Sequence, residues 1–220
     1  MSSWRVLQIV DSAFPSGGFA HSGGLEAAVR IGEVRSREEL DAFVDSAAWQ
    51  AGRASLPFAG GAFDAQERLA ELDAACDAMT LSHVANRASR SQGRALVATC
   101  ARVFELSALV AIDEACRARA LRVHLAPAFG AVMRALEVPR RETLAVLLHT
   151  TLRGVLSAAV RLNLVGPNEA QRMTFERTAL LETVLGACER LAPEDAAQAA
   201  PVVEWIGAVH DRLDTKMFVS

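Results

Sequence analysis

A chain of 220 residues, 51% of them apolar, is long enough to enclose a substantial core, and no linker divides it, so one domain over 1–220 is expected. The net charge of −3 and pI near 6.0 supply no broad attraction for a phosphate backbone, which excludes nucleic acid as an expected partner. Ala, Leu, Arg and Glu are plentiful, Tyr is absent and Val is scattered instead of alternating, so the composition predicts an all-α fold, a bundle of about ten helices around a central apolar helix.

Trp4, Leu7, Ile9 and Val10 begin a short helix that must stop at Pro15, because the residue before a proline is pushed out of the α region and Gly17-Gly18 follow. Helical spacing resumes from Ser22 to Ile31, with Gly32 as a stop. Ser36 and Glu39 form a capping box for a helix with Leu40, Phe43, Val44, Ala47 and Ala48 inward. After a short apolar segment around Leu56, Pro57 and Phe58, Asp64 and Glu67 suggest the same device for a helix through Leu69, Leu72, Cys76 and Met79.

From Ser82 to about Ala120 the spacing predicts two helices, or one that bends near Glu105, with Gly93 as its weak point. Pro127 and Pro139 stand where first-turn prolines would start two more. The second, Arg140 to Asn163, is apolar over most of its circumference and is the expected central helix. Gly166-Pro167-Asn168 ends it and opens a helix through Met173, Phe175, Leu180, Leu181, Val184 and Leu185, after which Pro193 and Pro201 divide the remainder into short helices and a tail, His210 to Ser220.

The longest apolar stretches, Leu96 to Ile112 and Thr143 to Val165, carry Arg102 and Glu105, and His149, Arg153 and Arg161, which argues against membrane spans. Arg5 is the one basic residue before Phe14, and Gln8 and Asp11 interrupt the first apolar run, so no signal peptide is expected and the location read from the sequence is cytosolic. Cys76, Cys100, Cys116 and Cys188 lie far apart with no C-x-x-C pair and read as free, buried thiols.

Candidate chemistry is sparse. Cys76, Met79 and His83 at i, i+3, i+7 could hold copper or nickel, but the same stripe is the core face of an amphipathic helix, and packing is the preferred reading. His210 with Asp211 and Asp214 reads as a solvated tail. His21 and Ser22 are adjacent and lack a G-x-S-x-G elbow, and the glycine pairs lack the G-x-x-x-x-G-K-[ST] pattern, so neither a hydrolase nor a nucleotide site is supported. The Pro15–Glu26 stretch reads as a helix–helix corner with Phe19 plugging the core. The second glycine pair, Gly23-Gly24, is not explained by that corner alone, and close approach of another backbone would account for it.

At these residues the chain resembles the urease accessory protein UreF family. Pro15-Ser16-Gly17-Gly18-Phe19-Ala20-His21-Ser22-Gly23-Gly24-Leu25-Glu26 is similar to the signature P-V-G-G-F-S-Y-S-Q-G-L-E, agreeing at eight of twelve positions and departing at Ser16, Ala20, His21 and Gly23. Asn86 to Arg94, His124 to Gly130, Ala159 to Gly166 with Gln171-Arg172, and the tail His210 to Ser220 resemble further family segments, with Lys216 in place of the tail's usual Arg.

The resemblance implies a non-enzymatic, commonly dimeric helical chaperone. Such a protein binds the scaffold UreD (also called UreH) and recruits the GTPase UreG to apo-urease for nickel insertion, with no cofactor of its own. The residues it implies for partner binding are Pro15, Gly17, Gly18, Phe19, His21, Ser22, Gly24, Glu26, Arg161, Gln171, His210, Arg212, Lys216 and Phe218, with the tail 210–220 expected to be mobile alone and to order on a partner. The alternatives are a helical metal sensor using Cys76, Met79, His83 or His21, and a helical interaction module unrelated to urease.

Overall fold

The computed structural model describes residues 4–220, and among these it contains twelve α-helices and no strand. The first helix, α1, spans Trp4–Val10 and buries Val6 and Ile9. After the corner come α2 (Leu25–Ile31) and α3 (Arg37–Ala54). The capping box at the start of α3 is present: the Glu39 N–H donates to Ser36 Oγ at 3.2 Å and the Ser36 N–H to Glu39 Oε2 at 3.0 Å, so two N–H groups that the helix leaves open are satisfied.

The segment around Phe58 is a helix in its own right, α4 (Leu56–Asp64). Its residues are apolar on nearly every side, so no periodicity marks it in the sequence, and in the fold it is enclosed nearly all round. It lies so close to α8 (Leu125–Ala135) that a Cβ on Gly130 would stand 2.0 Å from the Ala59 carbonyl oxygen.

The second expected capping box does not form. Asp64 ends α4 and its carboxylate receives the Arg140 guanidinium at 2.9 Å, while a 3-10 turn at Gln66–Arg68 precedes α5 (Leu69–Met79). Because α5 stops at Met79 and α6 (His83–Phe104) begins only after the Ser82 cap, Cys76, Met79 and His83 do not share one helix face.

Helix α6 breaks at Glu105, which takes the left-handed conformation (φ 51°), and α7 (Ser107–Ala118) follows, so two helices occupy 82–120. Gly93, expected as a weak point, is a contact point: a Cβ there would meet the Val123 carbonyl oxygen at 2.1 Å.

Helix α9 (Arg140–Arg161) is central as predicted, burying Leu144, Leu147, Leu148, Leu152, Val155, Leu156 and Ala159 against α3, α8, and α10 (Pro167–Glu176) and α11 (Thr178–Cys188). Among the described residues it is the one helix long and apolar enough to cross a membrane, and here it is the core of the bundle.

The single helix expected after Pro167 is two, because the chain turns at Arg177. That side chain is buried and its guanidinium binds the carboxylates of Asp41 and of Asp45 (2.7 Å) on α3. The Arg177 hinge leaves Phe175, expected inward, 80% exposed. A 3-10 turn at Pro193–Asp195, then α12 (Pro201–Ala208) and a 3-10 turn at Val209–Arg212, lead to the tail. All four cysteines are buried and unpaired, and burial pushes the Cys76 and Cys100 thiols up to about 12, so these thiols remain protonated near neutral pH.

Candidate functional site

Between α1 and α2 the chain folds over α6. The Phe14 ring stacks on Phe104 with centroids 6.4 Å apart, and Thr99 Oγ1 donates to the Pro15 carbonyl at 3.3 Å. A 3-10 turn at Gly18–Ala20 is followed by His21 in extended conformation. Helix α2 starts at Leu25, three residues later than expected from Ser22, because Gly23 (φ 64°) and Gly24 (φ 87°) are both left-handed. That geometry is open to glycine at little cost and accounts for the second glycine pair. The two glycines direct Ser22 and Glu26 inward from opposite ends of the bend, and both are fully buried.

What they meet is the tail. The Ser22 N–H donates to the Ser220 main-chain oxygen at 2.7 Å, the Ser22 hydroxyl reaches the same oxygen at 3.1 Å, and the Val219 N–H donates to the Ala20 carbonyl at 2.9 Å. Glu26 accepts three hydrogen bonds: from the Met217 N–H (2.7 Å) on Oε1, and from the Phe218 N–H (3.1 Å) and His210 Nε2 (3.0 Å) on Oε2. Burial alone would raise the Glu26 carboxyl pKa, and these donors outweigh it, so the group lies below the usual carboxylate value and is an anion near neutral pH.

His210 is therefore not part of a solvated tail: it has no exposed surface, while Asp211 beside it binds His83 (2.9 Å) and Arg87 (2.8 Å) of α6. The expectation of a tail that is mobile by itself is corrected on the same ground. Phe218 is 4% exposed within the core built from α2, α3 and α9, and the tail is seated on the corner of its own chain.

Arg161, at the last turn of α9, holds corner and tail together from the other side. Its guanidinium lies 3.9 Å from the Phe19 ring centroid and 4.1 Å from that of Phe218, and Nη1 donates to the Phe19 carbonyl at 2.6 Å. Phe19, expected to plug the core, is 69% exposed, because it stacks on the outer side of Arg161.

Of the other expected site residues, Pro15, Gly17, Gly18 and Gln171 line a groove of about 1160 Å³ together with His21, Gly24, Arg153 and Arg161. Gln171 stands at that groove but not in the joint with the tail. Lys216 donates to the Asp211 carbonyl at 3.1 Å within the tail, and Arg212 is exposed. Sequence reasoning missed Val219 and Ser220, which dock through main-chain groups, and Arg153, whose Nη1 donates to the Val10 carbonyl. Main-chain pairing leaves no side-chain signature, so only Phe218 marks the segment as one that packs.

The arrangement holds two segments of the chain together and among the described residues offers no reacting pair. The Ser22 hydroxyl is spent on Ser220, and the His21 ring faces Ser220 Oγ, 2.5 Å away, not Ser22. A second cluster, part-buried, places Ser89, His124 and Asp77 in nucleophile–base–acid order (3.1 and 2.9 Å). There the imidazole is wholly enclosed and Ser89 Oγ accepts the Leu125 N–H. With Asp73 accepting the N–H groups of Arg122, Val123 and His124, the cluster clamps the start of α8. Among the described residues no three His, Cys, Asp or Glu side chains are grouped to hold a metal ion.

The UreF family profile matches residues 34–178. Urease accessory protein F of Arabidopsis thaliana is 35% identical over 99% of this chain and 92% of its own length, and the indica rice protein of the same name is 32% identical over 99% and 85%. Urease accessory protein UreF of Mycobacterium sp. (strain JLS) is 30% identical over 98% and 97%. With a matching profile over more than half its length and relatives aligned from end to end, the chain belongs to the UreF family of urease accessory proteins, which assist another enzyme and are not enzymes themselves.

Proposed function

We propose that this chain is a cytosolic urease-maturation chaperone that binds the scaffold UreD (UreH), recruits the GTPase UreG and brings both to apo-urease, where nickel is inserted as cargo. The observation that carries the reading is the composite surface made by corner and tail. A buried joint of Ser22, Glu26, His210 and Phe218 fixes two segments whose outward side chains Phe19, Met217 and Val219 are exposed apolar groups, with Arg161 against Phe19. Large apolar and aromatic side chains next to an arginine with no carboxylate partner among the described residues have the composition of a protein-binding patch. Pro15, Gly17, Gly18 and Gln171 extend it along the groove, and Arg212 and Lys216 are exposed on the tail.

Co-purification with UreD and UreG tests the proposal. Association is expected, weakened at least tenfold by Phe19→Asp for one partner and by Met217→Asp for another; no association in any order of mixing overturns it.

A homodimer is supported by a different face. Phe175 projects beside a concavity of about 410 Å³ lined by Ala145, Leu148, His149, Leu181 and Leu185, and a projecting ring next to an apolar slot suits self-complementary pairing about a two-fold axis. Sedimentation equilibrium should report a dimer that Phe175→Asp converts to a monomer, and a monomeric wild-type protein at micromolar concentration refutes this part.

A further inference from the structure

His21 stands where the family signature has Tyr, and neither its place in the corner nor the partner surface explains an imidazole there. It is 9% exposed, and Nδ1 lies 2.5 Å from Ser220 Oγ, so the ring is a wall of the seat that the last tail residues occupy. We infer that His21 makes the docking of the tail sensitive to acidity near neutral pH, the tail being held when the imidazole is neutral and released when it is protonated. The inference concerns the joint itself and stands whichever partners the surface binds.

The surroundings set the direction. From α6, Arg87 faces the ring, its own charge bound to Asp211, which also holds His83. From the 3-10 turn that opens the tail, His210 faces it, with its Nε2 bonded to Glu26. Glu26 of α2 accepts from two main-chain N–H groups and His210, and among the described residues no hydrogen bond joins it to His21. Lys216 is tied to Asp211, and Arg161 of α9 lies across the Phe218 ring.

The protonated ring would thus be an enclosed cation beside a guanidinium and a second imidazole, with a hydroxyl as its one hydrogen-bonding partner among the described residues. Burial first, then Arg87 and His210, hold the His21 pKa below its ordinary value. A base whose pKa is lower with the tail docked than with it released binds its proton preferentially in the released state. Docking is therefore fully favoured above about pH 6.5, the ordinary histidine value, and weakens as the pH falls below it. With Tyr at this position the joint would have no group titrating in that range.

Two measurements on the full chain test this. In the first, the His21 ring signal is followed by NMR against pH in the full chain and in one lacking Met217 to Ser220. The midpoint should lie below 6.5 with the tail present and rise on its removal, each unit corresponding to about a tenfold change in the docking equilibrium. Equal midpoints in the two chains overturn the inference.

In the second, exchange protection of the Phe218 and Val219 amides, corrected for intrinsic rates, is compared at pH 7.5 and 5.5. Wild type should lose protection several-fold at the lower pH, and His21→Asn, which keeps a hydrogen-bonding group without a titrating one, should not. His21→Gln serves if the Asn variant fails to fold. Equal loss in the variant would assign the effect to another group, and no loss in wild type would remove the effect. Either result overturns the inference.

Discussion

Replacing Glu26 by Ala removes the acceptor of three hydrogen bonds at 2.7, 3.0 and 3.1 Å, all to a carboxylate with no exposed surface. Hydrogen bonds to a charged group each contribute about 1.5–3 kcal/mol. Two of the three, about 3 kcal/mol, already correspond to more than a hundredfold in the docking equilibrium.

The Met217 and Phe218 N–H groups need not stay buried and unsatisfied, because release returns them to water. The loss is therefore limited to the docking energy of the tail, while the bundle around α9 keeps its own contacts. Glu26→Ala should expose the Met217, Phe218 and Val219 amides to exchange at least a hundredfold faster and open the chain near Lys216 to protease, with far-ultraviolet dichroism unchanged. Glu26→Gln keeps one acceptor oxygen but turns an NH₂ toward the Phe218 N–H, so it should fall between the two. Tail amides in Glu26→Ala protected to within threefold of wild type would refute the reasoning, since the tail would then be held by Phe218 packing and the Ser22 pairing alone.

Acid should act on the same carboxylate. Its folded pKa lies below the unfolded 4.5, so its contribution is full above that value and is lost as pH falls through the lower folded one; tail protection should show this loss below pH 4.5, separate from any change beginning near 6.5. Gly130→Ala places a Cβ 2.0 Å from the Ala59 carbonyl oxygen, backbone against backbone, and should cost about 3 kcal/mol in chemical denaturation. Gly154→Ala, also within a helix but with no neighbouring atom within 4 Å, should instead stabilise by about 0.5–1 kcal/mol. Ser36→Ala should cost about 1 kcal/mol by the same assay through loss of the α3 cap. Arg177→Ala leaves Asp41 and Asp45 without their shared partner and should lower the melting temperature by several degrees, more than Arg141→Ala, whose pairing with Glu182 is exposed.

Where a helix was read correctly, a local device announced it. Ser36 and Glu39 close their box within three residues, and α9 carries enough apolar positions to be central whatever surrounds it. The errors arose where the deciding contact is remote. Asp64 and Glu67 have the spacing of a cap, but Asp64 is used by Arg140, 76 residues away, and the chain turns before α5 instead. Phe175 has the period of a core residue, but the pairing of Arg177 with Asp41 and Asp45, more than 130 residues back, breaks the helix and turns Phe175 outward. Helix α4 escaped notice for the opposite reason: enclosed by α8, α3 and α9, its residues have no polar side from which a period could be read.

The corner and the tail were each legible as distinct segments, but their union was not. Ser22 and Ser220 stand 198 residues apart and meet mainly through the Ser22 N–H and the Ser220 main-chain oxygen, groups that nearly every residue possesses. Glu26 offered the one clue, a carboxylate on the inner side of a short helix, where an unpaired charge would be prohibitive and a set of donors is demanded. Those donors are two tail amides and His210, so the glycines at 23 and 24, by turning Glu26 inward, determine where the chain's last residues lie. The left-handed pair and the buried carboxylate thus act as one element. Gly24→Ala, which strains the turn without touching the tail, should loosen the Phe218 amide in the same direction as Glu26→Ala, and a tail indifferent to the glycine would show that the two are independent.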